Sequence, residues 1–251
     1  MTTNTPEVNQ EKSDATRTGI SRRRVLTASG GVLLAVQAKT ALGTAICQSP
    51  SAMVSGNTSP RQDGPPPCSG GRSPGFWRNP QKFNAWVSPA VHPTLKNVSL
   101  CPTGLGKISP ANIETQGTPV LSVFPDAAAL LQDYIVTDKD GNVTLNIQAS
   151  TWGIWAVLAF PKLVGINEGD LLWHLCAAYL NSLAFDDYAL TTAQVIEAGA
   201  ALLTGGTWCP SSINSSVCAS NAFTGESFKA YISGMYHINS DLDITAWCTN
   251  Q

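Results

Sequence analysis

The chain has 251 residues and a formal net charge of −2, and only 13% of its residues are charged, about half the share typical of soluble proteins. Nine basic and fourteen acidic residues follow position 45, and no run of basic residues occurs after Arg24. Binding to a nucleic-acid backbone needs clustered Lys and Arg, so we expect no nucleic-acid partner. Hydrophobic residues make up 43% of the chain, which is enough to build a buried core.

The beginning of the chain has the features of an export signal. Residues 21–27 read Ser-Arg-Arg-Arg-Val-Leu-Thr, which resembles the twin-arginine consensus, with Arg22 and Arg23 as its two arginines. The apolar stretch 25–38 would span roughly 21 Å as a helix, short of the ~30 Å hydrocarbon core of a bilayer. We therefore expect the twin-arginine translocase as the export partner. A general secretory signal and an uncleaved anchor are the alternatives.

Composition divides the rest of the chain into a linker and one domain. Gly43-Thr44-Ala45 supplies small residues at the −3 and −1 positions, so residues 1–45 are predicted to be the cleaved signal, with cleavage after Ala38 as the second choice. Residues 46–67 are rich in Ser, Pro and Gly and predict a disordered or extended linker. Residues 68–251 are predicted to form a globular domain, periplasmic or secreted in its final location.

Six of the seven cysteines lie in the predicted domain, and an even number in an exported chain favours disulfides. The shortest gap, Cys209 to Cys218, suits a short bridge, whereas Cys176 lies in an apolar helical pattern and is expected to be a free, buried thiol. Zinc and iron–sulfur sites need cysteines two to four residues apart, so we expect neither a metal site nor a cofactor. The disulfide candidates are Cys68, Cys101, Cys209, Cys218 and Cys248.

The elements of the middle region can be predicted in chain order. A proline followed by an alanine-rich run predicts a helix from Asp126 to about Gln132. Two β-rich runs, 134–136 and 143–147, flank an Asp-Gly turn and predict a hairpin. The most apolar run, 152–164, is too short for a bilayer and is interrupted by a proline, so it is expected to be a buried core element.

The last third of the domain predicts three helices. Apolar residues recur at helical spacing over Gly169–Ala184. Thr191 and Gln194 match a capping box for a helix that runs to Leu203, and a third helix is expected over Glu226–Tyr236. The sequence thus predicts a mainly α fold with one small β-hairpin and long loops, as a single domain stapled by disulfides.

Two loops resemble ligand-binding motifs without matching them. Asp138, Asp140 and Asn142 have the alternation of a calcium loop, but the glycine and glutamate positions of an EF-hand are not met, so a turn is expected and a weak cation site is the alternative. Residues 104–107 read Gly-Leu-Gly-Lys, yet the spacing and the missing Ser or Thr exclude a phosphate loop. We interpret that segment as a surface turn.

One pair of residues supports an enzyme hypothesis. Asp170 and His174 are four residues apart in a predicted helix, so the carboxylate could orient the imidazole for base chemistry. A further carboxylate from Asp186 or Asp187 would complete a hydrolase-like site. The competing interpretation is a local hydrogen bond on the helix surface.

All seven tryptophans lie in the predicted domain. If exposed, they could form a stacking surface for a sugar or peptide, and we select Trp77 and Trp86, with Arg78 near them, as candidate binding residues. The interpretation that we favour for the tryptophans as a group is that they fill the core and anchor long loops there. Arg78 is expected to cover a tryptophan face by a cation–π contact.

Two segments resemble a group of bacterial exported proteins of unknown function. In residues 68–86 a Cys is followed by Pro-Gly-Phe-Trp-Arg-Asn-Pro and then a Trp, close to that group's Cys, Pro-Gly-Tyr/Phe-Trp-Lys-Asn-His-Pro, Trp pattern. Residues 171–181 resemble its Leu-x-x-His-x-x-Ala-Ala-x-Leu-Asn helix. The group's His is missing, because Pro80 directly follows Asn79. The resemblance implies an exported, cysteine-containing and tryptophan-anchored domain, and it implies no activity.

The sequence therefore favours an exported, non-catalytic module of the cell envelope or the extracellular space that binds or builds something there. The motivation is the lack of clustered ionisable residues together with loops rich in Trp and Cys. The alternative function is an exported hydrolase-like enzyme that uses Asp170 and His174.

Overall fold

The computed structural model describes residues 47–55, 68–98 and 108–240. These residues form a mainly helical fold with two small antiparallel sheets of two strands each. Disulfides link Cys47 to Cys68 and Cys209 to Cys218. The mainly α, disulfide-stapled fold class is confirmed. The second small sheet is an addition to the single predicted hairpin.

The elements are numbered in chain order. The α-helices are α1 Pro50–Val54, α2 Pro74–Trp77, α3 Val120–Val123, α4 Ile154–Ala159, α5 Pro161–Val164, α6 Leu171–Ala184, α7 Thr192–Leu203, α8 Ser215–Asn221 and α9 Gly225–Met235. The strands are β1 Thr94–Leu95, β2 Ile113–Thr115, β3 Tyr134–Thr137 and β4 Val143–Ile147. Strand β1 pairs with β2, and β3 pairs with β4.

Helix α6 is the centre of the core. It begins after Asp170, and its residues from Leu175 to Asn181 are all buried, so the helix is covered on most of its circumference. Helices α2, α4, α7 and α9 all pack against it. A helix that is apolar on nearly all of its faces is stable only inside the protein. Helix α6 is such a helix, and the neighbouring helices bury it.

Helices α7 and α9 each begin at a capping box. The hydroxyl of Thr191 accepts from the Gln194 backbone N–H, and the Gln194 side chain accepts from the Thr191 N–H, which completes the predicted capping box. Helix α7 ends before Gly205, which has a φ of +80°. Helix α9 likewise starts with a box, between Thr224 and Ser227, and matches the predicted helix within one residue at each end.

The apolar run 152–164 folds into α4 and α5 inside the core. Every residue of α4 is buried, and Pro161 is the first residue of α5, where its missing N–H costs no hydrogen bond. The prediction of a buried core element is confirmed. Among the described residues, none of the helices has both the length and the hydropathy that a membrane crossing requires.

The predicted hairpin is present as β3 and β4. Tyr134 pairs with Ile147 and Val136 with Leu145, and the register shifts by one residue near the turn. In the turn, the Asp138 carboxylate accepts from the backbone N–H groups of Asp140 and Asn142, both at 2.9 Å. These hydrogen bonds lower the pKa of Asp138. The turn prediction for this loop is confirmed.

The helix predicted over Asp126–Gln132 is wrong in type and in length. The structure has a 3₁₀ helix over Pro125–Leu130 instead. The reason lies just beyond it, where the backbone of Gln132 is held by two distant partners. Its N–H donates to the Val164 carbonyl, and its carbonyl accepts from the Trp152 indole N–H, both at 2.9 Å. These long-range bonds require an extended chain, which ends the helix early.

Part of the segment predicted as a linker is folded. Residues 47–55 contain α1, which Ser49 caps by accepting from the Ala52 backbone N–H. Val54 is buried, and the Tyr231 hydroxyl donates to the Gln48 carbonyl at 2.6 Å. Ser and Pro mark helix starts as well as linkers, so composition alone cannot separate the two. Residues 56–67 of the predicted linker lie outside the described residues.

Candidate functional site

The two segments that carry the sequence resemblance meet inside the protein. Helix α2, from the first segment (residues 68–86), packs against α6, which contains the second segment (residues 171–181). Trp77 and Asn181 have no exposed surface, and they face each other. We call this buried contact the motif junction and define it by Arg72, Trp77 and Asn181.

Asn181 joins the two segments with three hydrogen bonds. Its Oδ1 accepts from the Arg72 backbone N–H at 2.8 Å and from the Trp77 indole N–H at 2.9 Å. Its Nδ2 donates to the Arg72 carbonyl at 2.9 Å. A buried amide is tolerated only when its donors and acceptors form hydrogen bonds. The Asn181 side chain forms them with backbone and indole groups that are more than a hundred residues away in the chain.

The loop before α2 reaches the junction through adjacent glycines. Gly71 has a φ of +69°, and a Cβ at this position would collide with the Asn181 amide. At Gly70 a Cβ would collide with the Met235 carbonyl. The buried Ser69 hydroxyl accepts from the Gly71 N–H at 3.1 Å and so fixes the bend. Glycine is required here because the backbone approaches both neighbours closely.

A buried tyrosine lies beside the junction. Tyr188 forms an isolated parallel bridge with Ser69. Burial raises the pKa of the Tyr188 phenol, and the Asn181 amide next to it lowers that pKa in part. Cys176 is free and fully buried, as predicted. Burial raises the pKa of its thiol, which therefore has no thiolate character.

The structure does not bring Asp170 and His174 together through their side chains. The Asp170 carboxylate accepts from the Asn167 backbone N–H at 2.8 Å, in the turn before α6. His174 instead pairs its Nδ1 with the Tyr236 hydroxyl at 2.9 Å, and the two rings are stacked. Burial and, to a smaller extent, Lys229 lower the pKa of His174. Asp186 and Asp187 are exposed residues of the loop after α6. The geometry that the enzyme hypothesis needs is therefore absent from the described residues.

The predicted stacking surface is not found at Trp77, because that side chain is fully buried. Trp86 is half-buried and meets Phe83 edge to face. Trp152, Trp155 and Trp208 are also buried. A tryptophan side chain typically buries about 150–250 Å² of surface, so the burial of these rings contributes strongly to the stability of the core. The interpretation that tryptophans fill the core thus holds for most of those described.

Arg78 makes a different contact from the one predicted. Its guanidinium forms a 2.7 Å ion pair with Glu168, and its carbonyl accepts from the Trp155 indole N–H at 2.9 Å. The cation–π contacts of this region are made by Arg72 and Lys82, which lie 5.3 Å and 5.6 Å from the ring centre of Phe76. The prediction that Arg78 covers a tryptophan is wrong, because Glu168 offers the guanidinium a closer and opposite charge.

The cysteine predictions can be followed at four positions. The Cys209–Cys218 bridge is present as expected. Cys68 is bridged to Cys47, a residue that composition places in the linker and that is not among the predicted candidates. The only local sign of folded structure near Cys47 is the Ser49-Pro50 pair, which is typical of a helix start. Because Ser and Pro are also typical of linkers, this pair was not enough to predict a disulfide at Cys47. Cys101 and Cys248 lie outside the described residues, as do Arg22 and Arg23 of the export signal.

The described residues contain no cluster of three or more potential metal ligands. They include a shallow surface depression of about 390 Å³, lined by Val91 and residues 115–119. Comparison with family models, curated proteins and solved structures finds no match for this chain.

Proposed function

We propose that this protein is an exported, non-catalytic module that binds or builds a structure in the periplasm or outside the cell, and that the twin-arginine translocase carries it there. The observation that supports export most directly is the Cys47–Cys68 disulfide. Cys47 is the second residue after the predicted cleavage site at Ala45. The new amino terminus of the mature chain would thus be fixed covalently to the first motif segment, in a compartment that permits disulfides.

The non-catalytic part of the proposal is supported by how the polar side chains of the motif segments are used. Asn181 pairs with Trp77 and with the Arg72 backbone, His174 pairs with Tyr236, and Arg78 pairs with Glu168. A catalytic acid, base or nucleophile has to face a substrate. Asn181 and His174 face partners within the protein instead, so their role in the proposal is to hold α2, α6 and α9 together as a rigid scaffold. The Arg78–Glu168 pair lies at the surface and leaves part of the guanidinium exposed.

Of the three residues predicted for a binding surface, Arg78 and Trp86 keep part of their surface exposed. Both belong to the first motif segment, as does Phe76, which is partly exposed and has the cations of Arg72 and Lys82 over its ring. We propose this aromatic and cationic face as the binding surface of the module. A ligand with hydroxyl or carboxylate groups would suit it.

The export proposal is tested by recovering the protein from the periplasm and the medium and mapping its peptides without reduction. We expect an amino terminus at Ile46, linked peptides for Cys47–Cys68 and Cys209–Cys218, and a Cys176 that reacts with alkylating reagents only after unfolding. The matched control is the Arg22→Lys/Arg23→Lys variant, which should stay in the cytoplasm with its signal attached. A wild-type product that remains inside the cell with reduced cysteines would contradict the proposal.

A further inference from the structure

The tip of the β3–β4 hairpin carries an acceptor sequence for an N-linked glycan. Residues 140–144 read Asp-Gly-Asn-Val-Thr, in which Asn142, Val143 and Thr144 form an Asn-x-Thr sequon without proline. The exposed carboxylate of Asp140 stands two positions before the asparagine, where it offers an ion pair to a cationic group of a transferase that binds the sequon. We propose that Asn142 is glycosylated after export, an inference that rests on the export proposed above.

The geometry of the tip makes Asn142 accessible in the folded protein. All residues from Thr137 to Thr144 are exposed, and no atom lies within 4 Å of the position where a Cβ on Gly141 would point. The Asn142 carboxamide makes a hydrogen bond to the exposed Asp138 carboxylate at 3.1 Å. Accessibility in the native state matters here, because a twin-arginine passenger crosses the membrane already folded and offers the transferase only its surface.

The other sequons of the described residues are less suited. Asn214-Ser215-Ser216 lies at the start of α8, where the Asn214 carboxamide oxygen accepts from the Ser216 N–H and caps the helix. A helical backbone holds the serine away from the extended or turned shape that an enzyme can grip. Asn97 is exposed with a φ of +58°, but the residue two positions before it is Leu95, not an acid. Asn142 alone combines exposure, a turn and the upstream carboxylate among the described residues.

The reaction is a group transfer from a polyprenyl-diphosphate-linked oligosaccharide. The Nδ2 atom of Asn142 attacks C1 of the first sugar and forms the N-glycosidic bond. The bond between C1 and the diphosphate oxygen breaks, and the polyprenyl diphosphate leaves with the electron pair. The proton lost from Nδ2 passes to a base of the transferase, so no oxidant or metal redox step is needed. The proposal requires the donor and the transferase to meet the chain in the compartment to which it is exported.

A glycan at this position would also protect the hairpin. Ile135 and Val143 are 53% and 59% exposed, which is unusual for β-branched apolar residues, and the two-stranded sheet leaves strand edges unpaired among the described residues. An oligosaccharide on Asn142 is adjacent to Val143 and would cover both the apolar surface and the strand edge. Edge strands exposed in this way are otherwise prone to pair with other chains.

The test is the intact mass of the exported protein in a bacterium that contains an oligosaccharyltransferase and its lipid-linked donor. We expect the mature chain to carry an added oligosaccharide that peptide mapping assigns to Asn142. The added mass should be lost in Asn142→Gln and Thr144→Val and reduced in Asp140→Ala. It should be retained in the matched sequon controls Asn97→Gln and Asn214→Gln. Unchanged circular dichroism of Asn142→Gln would confirm that the loss reflects the acceptor and not the fold.

Failure of this inference and failure of export give different results. A mature chain that begins after the signal and has the mass of its sequence overturns glycosylation and leaves export intact, as does sugar found only at asparagines other than Asn142. A chain that keeps its signal points to failed export, and purified folded protein is then incubated with the transferase and the lipid-linked donor. Transfer to Asn142 in that reaction supports the site, and absence of transfer overturns it.

Discussion

Asn181 and Asp138 each organise their surroundings through three hydrogen bonds, but over very different distances in sequence. The partners of Asn181 are 104 and 109 residues away, and those of Asp138 are two to four residues away. Asn181 is fully buried, whereas Asp138 lies in an exposed turn. The same number of bonds thus holds a whole fold together in one place and shapes a single loop in the other.

The difference teaches where a polar side chain has most effect on stability. Removing a buried amide leaves several groups without partners and without water, and each such group costs about 1–3 kcal/mol. In an exposed turn, water replaces the lost partner. The motif junction and the hairpin turn should therefore respond very differently to comparable substitutions.

The largest effect is expected at the junction itself. Asn181→Ala removes the partner of the Trp77 indole and of both Arg72 backbone groups and should lower the free energy of unfolding by about 4 kcal/mol. Denaturant unfolding measures this loss. The matched control is Asn146→Ala on the exposed face of β4, which should change stability by less than about 0.5 kcal/mol. Equal effects of the two variants would contradict the comparison.

The second effect concerns the glycine that allows the junction to close. Gly71→Ala combines a positive φ with a collision against the Asn181 amide and should cost about 3 kcal/mol. Gly205→Ala has a positive φ of +80° but no atom within 4 Å, so it should cost about 1 kcal/mol. The difference between the stability losses of the two variants measures the cost of the collision with Asn181. Equal losses would show that the loop moves aside and would contradict this prediction.

The third prediction examines a local link that is covalent. The Cys209–Cys218 bridge spans nine residues, and a loop of that size is expected to stabilise the folded state by about 2.5 kcal/mol. The Cys209→Ala/Cys218→Ala variant should show this loss in thermal unfolding, and Ser211→Ala, at an exposed position in the same loop, serves as the control. A loss as large as that of Asn181→Ala would show that this region, too, holds the whole fold together.

The smallest effect is a dependence on pH at His174. Burial and Lys229 lower the pKa of His174 in the folded state, so the unfolded chain, with a pKa near 6.5, binds the proton first. This group therefore contributes stability that is present above pH 6.5 and is lost as the pH falls below it. Urea unfolding between pH 7.5 and 5 should show a weaker pH dependence in His174→Gln than in the wild type. Parallel curves for the two proteins would contradict the assignment.

Local signals made much of the fold predictable. The capping box at Thr191, the Asp-Gly turn of the hairpin and the apolar spacing of α6 each depend on residues within a few positions of one another. The Cys209–Cys218 bridge could be predicted for the same reason. These elements match the structure because the interactions that fix them are short in sequence.

The parts that sequence reasoning missed depend on distant partners. The early end of the helix at Leu130 follows from bonds between Gln132 and residues 20 and 32 positions away. The Cys47 bridge and the turn of Arg78 toward Glu168 are likewise set by packing. In the sequence, Asn181 was noted only as the last residue of the segment 171–181, which resembles a helix motif of the exported proteins. Nothing near it in the sequence reveals that it is buried and bonded to Trp77.

The Cys47–Cys68 bond closes a covalent ring whose two cysteines are separated by 21 positions. A single protease nick inside that ring would open it without releasing a fragment, because the crosslink still joins both pieces. The nicked and intact chains would run together on a non-reducing gel and separate only after thiol treatment. The ring also keeps α1 at high local concentration beside Tyr231, so that a nicked chain can retain its packed amino-terminal helix.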